Sequence, residues 1–168
     1  MAKTDLGKKW EEHFKQNWKR CFPETFVFRL KDQMTGYKDT SGNPCDFLCF
    51  TGSNLFMVEC KEHEGASIPF SVIPQYKRLL EYKGIDKVKP GILIWFSEKD
   101  IIIWVPIETA EKIYTNGERS IGLRLLNQKD NSGNKLYNII VLPAEKKRVF
   151  MEADYNYLEE VVGENINE

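Results

Sequence analysis

Leu6, Trp10, Phe14 and Trp18 recur at near-helical spacing and draw one apolar stripe along the segment from about Asp5 to Arg20, the pattern of a helix that buries a single face. At about 100° per residue, Glu11 falls on the flank of that stripe, whereas Glu12 points nearly opposite it. Glu11 is therefore expected to border a buried site and Glu12 to face water. His13 takes the other flank and is assigned no functional role.

Beyond this helix the pattern shortens. Thr25–Leu30 reads as a strand and Lys31–Asn43 as a polar loop holding Met34, Gly36 and Tyr37. Two runs rich in aromatic, branched and Cys residues then flank Gly52-Ser53, one ending at Phe50 and the other starting at Leu55. That is a β-hairpin signal with Gly at the first central turn position. Ile73–Tyr82 reads as a helix with Pro74 in its first turn and Gly84 ending it. Gly91–Phe96 and Ile101–Val105 read as apolar strands joined by Ser97–Asp100. Glu108–Tyr114 then gives a short helix, Leu136–Leu142 a strand and Tyr155–Val161 a final helix. Helix, strands, helix and strands around one sheet make an α/β or α+β chain. With no internal repeat, low-complexity tract or linker, residues 1–168 are expected to form one domain. No run is long and apolar enough to span a membrane, and the start lacks an apolar signal segment, so a cytoplasmic location is expected.

The hairpin carries the candidate chemistry. If Gly52 and Ser53 are the two loop residues, Phe50 faces Leu55 and, counting outward, Asp46 faces Glu59. Directly opposed residues place their Cβ atoms roughly 4.5–5.5 Å apart. Glu59 and Lys61 lie two apart and so share a strand face. Two carboxylates and an ammonium thus converge, and carboxylates that close repel each other. A hard divalent cation such as Mg²⁺ relieves that repulsion through oxygen ligands. The plainer alternative is a solvated strand end screened by Lys61. The apolar flanks weigh against it, because buried charges pair or coordinate metal.

Four cysteines invite a zinc or disulfide reading. In the expected register Cys45, Cys49 and Cys60 lie on the face away from Asp46 and Glu59. Cys45 and Cys49 are about 13 Å apart along a strand, too far to share one zinc with sulfur bonds of ~2.3 Å. Cys45 and Cys60 oppose each other, but a disulfide does not suit a cytosolic protein. The cysteines read as small buried hydrophobes, and His63 as a surface or loop residue.

A net charge of −1 argues against nucleic-acid binding, which commonly uses a basic surface. The charge is uneven, however. The first thirty-one residues include Lys8, Lys9, Lys15, Lys19, Arg20, Arg29 and Lys31, and a second basic cluster runs through Lys77, Arg78, Lys83, Lys87 and Lys89. From Phe150 onward every charge is acidic. Such a polarised surface still focuses a phosphate backbone.

Pro44-x-Asp46 followed by Glu59-x-Lys61 resembles the PD-(D/E)xK motif of the restriction-endonuclease-like nuclease superfamily. Gly7 followed four residues later by Glu11 resembles the amino-terminal helix of Holliday junction resolvases. Ile68-Pro69-Phe70 and Gln75-Tyr76 resemble a segment of RecU-type resolvases, and Lys146–Phe150 with Asp154-Tyr155 is similar to small phage-encoded relatives. The resemblance implies an αβββαβ core with a central mixed sheet. It also implies a metal-dependent DNA endonuclease acting on four-way junctions, with other duplex or flap cutters, or an inactive nucleic-acid binder of the same fold, as alternatives. Asp46, Glu59 and the Cys60 carbonyl would hold Mg²⁺ (or Mn²⁺), with Glu11 contributing directly or through water. Lys61 would orient the nucleophile, and Gln75 would contact water or phosphate. The expected DNA contacts are Lys8, Lys9, Lys15, Lys31, Tyr37, Lys38, Lys77 and Arg78. RecU-type enzymes carry a protruding stalk that the short interval here does not match. Symmetrical nicking of a junction needs two active sites, so a homodimer is expected.

Overall fold

A computed structural model of the chain describes residues 3–31 and 42–163. Tyr37 and Lys38 lie outside the described residues. The elements run α1 (Lys3–Cys21), β1 (Val27–Arg29), β2 (Phe47–Phe50), β3 (Leu55–His63), β4 (Ser67–Pro69), α2 (Tyr76–Leu79), β5 (Val88–Phe96), β6 (Ile101–Pro106), α3 (Ile107–Thr115), β7 (Ser120–Gly122), β8 (Ile140–Val141), β9 (Ala144–Lys146), β10 (Met151–Ala153) and α4 (Tyr155–Gly163). Six strands form a central sheet in the order β1-β2-β3-β5-β6-β8. Only the β3–β5 pair is parallel; the others are antiparallel. This is the expected mixed sheet flanked by helices, with the αβββαβ order at its heart.

The sheet buries both faces, which explains why β5 and β6 read as unbroken apolar runs. One face packs against α1 and α4 through Trp10, Phe14, Trp18, Phe56, Trp95 and Tyr155. The other packs against α2 and α3 through Met57, Ile92, Ile94, Leu79, Ala110 and Ile113. The predicted stripe of α1 is the side that packs: Trp10, Phe14 and Trp18 are fully buried, while Glu12 is exposed. Inside the first layer, Gly91 leaves room for the Trp104 ring to lie against β5. A Cβ there would stand 2.4 Å from Cζ2 of Trp104, which is itself buried. Gly91→Ala is expected to cost about 1–3 kcal/mol through overpacking, measured as a lower urea midpoint with an unchanged slope.

Three expectations are revised. The helix over 73–82 shrinks to α2 and a following 3₁₀ turn, Leu80–Tyr82. Ile73 precedes Pro74 and sits at φ −122°, ψ 67°, because the proline ring disfavours helical backbone at the residue before it. The strand over 136–142 keeps only Ile140–Val141 in the sheet. Ile139 N–H donates to Tyr137 C=O, a tight three-residue turn that rotates the chain. Tyr137 and Ile139 therefore enter one core layer, and Ile140 and Leu142 the other. Cys45 is the third. It packs with Met57 and Ile92, not with Cys49 and Cys60 in the α1 layer. β2 starts only at Phe47, and the bend at Cys45–Asp46, where the Cys45 thiol reaches Phe47 C=O at 3.3 Å, breaks strand alternation. All four cysteines are free.

Candidate active site

The β2–β3 hairpin folds in the register the two-residue turn dictates. Phe50 faces Leu55 and Phe47 faces Val58; Asp46 and Glu59, expected as the next pair outward, do not continue the ladder as an opposed pair. Gly52 supplies the positive φ of the turn, 99°, and the Thr51 hydroxyl accepts N–H bonds from Ser53 and Asn54. Ladder pairing stops at Phe47, but Asp46 N–H still bonds Val58 C=O at 3.1 Å. One residue further along β3, Cys60 N–H donates to Asp46 Oδ2 at 2.9 Å. The Asp46 side chain thereby replaces a backbone acceptor where β2 ends. Within a strand the N–H and C=O of one residue point to the same side, so the Cys60 carbonyl also faces the end of β2.

Glu59 is 1 % exposed in the middle of β3, with Ile92 of β5 alongside. Lys61 Nζ lies 3.1 Å from Glu59 Oε1 as an ion pair, yet neither Glu59 oxygen has an aligned hydrogen-bond donor. A buried carboxylate left this way is expensive to ionise. Burial pushes the Glu59 carboxyl up to about 8; the charge of Asp46 adds to the rise and Lys61 opposes it. Burial likewise raises Asp46 to about 6, against the pull of the Cys60 N–H bond, with the Glu11 charge adding to the rise. Burial also pushes the Cys45 thiol up to about 12, reinforced by Glu59 and Asp46, so it is a protonated filler beside the acids.

Glu11 lines a cleft of about 410 Å³ with Gly7, Cys60, Lys61 and His63. The helix flank that lines this cleft is the one the stripe selected, and the Glu11 charge reaches both Asp46 and Glu59. Glu11 is tethered there by Arg29 Nε, which donates to its Oε2 at 2.8 Å. Arg29 is the site residue that sequence reasoning missed, since the contact spans eighteen residues and joins α1 to β1 with no local pattern. Gln75 heads α2, and its Oε1 is buried without a hydrogen-bond partner.

The expected DNA contacts are scattered more widely. Lys8, Lys9 and Lys31 are exposed and Lys15 half-buried. Lys77 is exposed on α2, where Arg78 reaches Asn43 C=O at 3.4 Å. The second basic cluster does not form one patch. Lys83 pairs with Glu111 at 2.6 Å, and Lys87 and Lys89 line a cavity with Gly84 and Trp104. That cavity is at the end of β5 where Val88 meets Leu55, away from the end where Phe96 meets His63.

No three His, Cys, Asp or Glu side chains among the described residues gather into a ready-made metal cage. The donor set is two carboxylates with a main-chain carbonyl close by. That all-oxygen set suits Mg²⁺, which keeps several waters and is held by one or two carboxylates. The observation that fits a cation is the buried Glu59 carboxylate: Lys61 reaches only its Oε1, and its Oε2 is left without a hydrogen-bond partner.

Among the described residues no helix is long and apolar enough to cross a membrane. Comparison with protein-family models finds no match, and no curated protein matches the chain. Among solved structures the chain is similar to Hjc, a Holliday junction resolvase from the archaeal hyperthermophile Archaeoglobus fulgidus. The TM-score is 0.52 and the identity 13 %, over 70 % of this chain and 89 % of that one. The shared feature is the fold: a central mixed sheet flanked by helices, of the restriction-endonuclease-like kind.

Proposed function

We propose that this chain is a divalent-metal-dependent DNA endonuclease acting on four-way junctions as a homodimer. The observation that carries the proposal is the buried Asp46 and Glu59 carboxyls beside Lys61, with Glu59 Oε2 unsatisfied, on a fold similar to a junction resolvase. Asp46 and Glu59 would hold the cation with the Cys60 carbonyl, and Cys60 N–H keeps the Asp46 carboxylate turned toward β3. Bound Mg²⁺ or Mn²⁺ supplies Lewis-acid polarisation of the phosphodiester and of water. Lys61 is partly exposed, so its ammonium faces both Glu59 and incoming phosphate. Its stabilisation of the non-bridging oxygens is worth on the order of 3 kcal/mol by analogy with single oxyanion donors. Arg29 holds Glu11 at the cleft wall, from where its carboxylate would orient water at the site. Gln75 contacts water or phosphate from the head of α2, and the exposed lysines of α1 and α2 flank the strand.

The test is a cleavage gel offering a four-way junction, a flap and a linear duplex side by side in Mg²⁺. Junction cutting that EDTA abolishes and Mn²⁺ restores is the expected result. Equal cutting of linear duplex points to a general endonuclease on the same site, and no cutting in either metal overturns the proposal.

A further inference from the structure

We infer that β1 is the seam of a two-fold dimer, with a second copy of the chain packing its own β1 antiparallel against it through Phe26 and Phe28. The inference deepens the proposed function by naming the surface its homodimer uses.

Phe26 and Phe28 are 50 % and 56 % exposed, and no other phenylalanine is among the exposed large hydrophobics of the described residues. Phe26 stacks on Phe50 of β2, centroids 5.6 Å apart and planes 18° apart. The rings therefore form one continuous strip, unlike the isolated apolar residues common on any surface. β1 is also a sheet edge, since no described strand lies beyond it. Phe26 C=O and Leu30 N–H bond β2, so in alternation the N–H and C=O of Val27 point outward. An edge is normally blunted by proline or charge. Pro143 does this one residue past Leu142 at the far edge, where β8 is only two residues long. β1 carries an aromatic strip instead.

The strip favours a protein occupant over nucleic acid. It has no charged side chain to grip phosphate, and the neighbouring Arg29 guanidinium is engaged by Glu11 on the opposite side of the sheet. It favours a second copy because it is self-complementary. With Val27 opposite Val27 of the second copy, Phe26 of each chain meets Phe28 of the other on one face, a pair of aromatic cross-strand contacts in an isologous interface. Phe28 faces Leu48 and Leu48 faces Met57, so this is the face on which Glu59 lies. The two sheets would join into one, with both Glu59 residues on the same face. Three strand spacings across and six residues along place the two Asp46 residues roughly 25 Å apart. One branched nucleic acid lying on that face reaches both sites.

Sedimentation at micromolar concentration tests this. The wild-type chain should run at twice the chain mass, and Phe28→Glu and Phe26→Lys should each run at the monomer mass with unchanged far-UV circular dichroism. Mixing the two variants should restore the dimer, since the carboxylate introduced by Phe28→Glu in one chain then opposes the ammonium introduced by Phe26→Lys in the other. A monomeric wild type, or a dimer that survives both substitutions, overturns the seam. So does a monomeric wild type whose single-strand affinity falls in Phe28→Glu, which makes the strip a base-stacking platform. Mn²⁺ binding to Phe28→Glu, followed by calorimetry, separates this from the nuclease proposal. Loss of the dimer with metal binding retained is the expected pattern, whereas a wild-type dimer that binds no metal keeps the seam and sinks the nuclease reading.

Discussion

On the proposed function, Asp46→Asn is expected to lower junction cleavage in Mg²⁺ about a thousandfold or more while leaving junction binding within about threefold of wild type. Asn keeps the size of Asp and an oxygen for the Cys60 N–H bond, 2.9 Å in the wild type, so the end of β2 stays in place. What is lost is one of two anionic donors in a buried pocket. Lys61→Ala acts at the other side of the same group and is expected to cost about a hundredfold to a thousandfold. It removes the ammonium 3.1 Å from Glu59 but no sheet contact. Glu12→Gln is the matched control, because Glu12 is exposed on the far side of α1 and its loss should leave the rate within about twofold. Single-turnover cleavage with binding followed separately by gel shift distinguishes these outcomes. Wild-type cutting by Asp46→Asn would place the chemistry elsewhere.

The features legible in the sequence were those fixed by short-range geometry. A two-residue turn sets the pairing of its hairpin as far as Phe47 opposite Val58, which followed from Gly52-Ser53. Beyond it the Asp46 N–H bond to Val58 C=O slips the register by one, so Asp46 meets β3 through its carboxylate on Cys60 N–H instead of standing opposite Glu59. The stripe of α1 likewise chose Glu11 over Glu12, because helical angle depends on sequence alone. Links between distant segments were hidden. Nothing in Arg29 or Glu11 announces their contact, and the parallel pairing of β3 with β5 spans a helix. The two small ribbons, β4 with β7 and β9 with β10, use three-residue strands that are polar or mixed and have no period long enough to read. Where local rules conflicted, the stiffer one prevailed: Pro74 cut short a helix that its apolar spacing supported, and a tight turn at Asn138 divided an apolar run between two core layers.

The buried acid pair should weaken the metal-free fold, and pH exposes this. The Glu59 carboxyl titrates near 8 in the folded chain against an ordinary 4.5, and Asp46 near 6 against 3.8. In both cases the folded state holds its proton more tightly than the unfolded state. The associated stability is therefore fully present below about pH 4 and is lost as pH rises, through 6 for Asp46 and through 8 for Glu59. In EDTA the melting temperature should fall between pH 5 and pH 9. Glu59→Gln keeps the shape and removes the ionisation, so it should melt close to wild type at pH 5 and above it at pH 9. For a group this buried the gain is on the order of a few kcal/mol, roughly 5–10 °C in a chain of this size. Added Mn²⁺ reverses the trend in wild type, because a cation binds the ionised pair and stabilises the fold most where the protons are already gone. It leaves Glu59→Gln nearly unmoved. A wild-type melting temperature that is flat or rising from pH 5 to 9 without metal would mean the pair is solvated, and the cation would lose its reason to bind there.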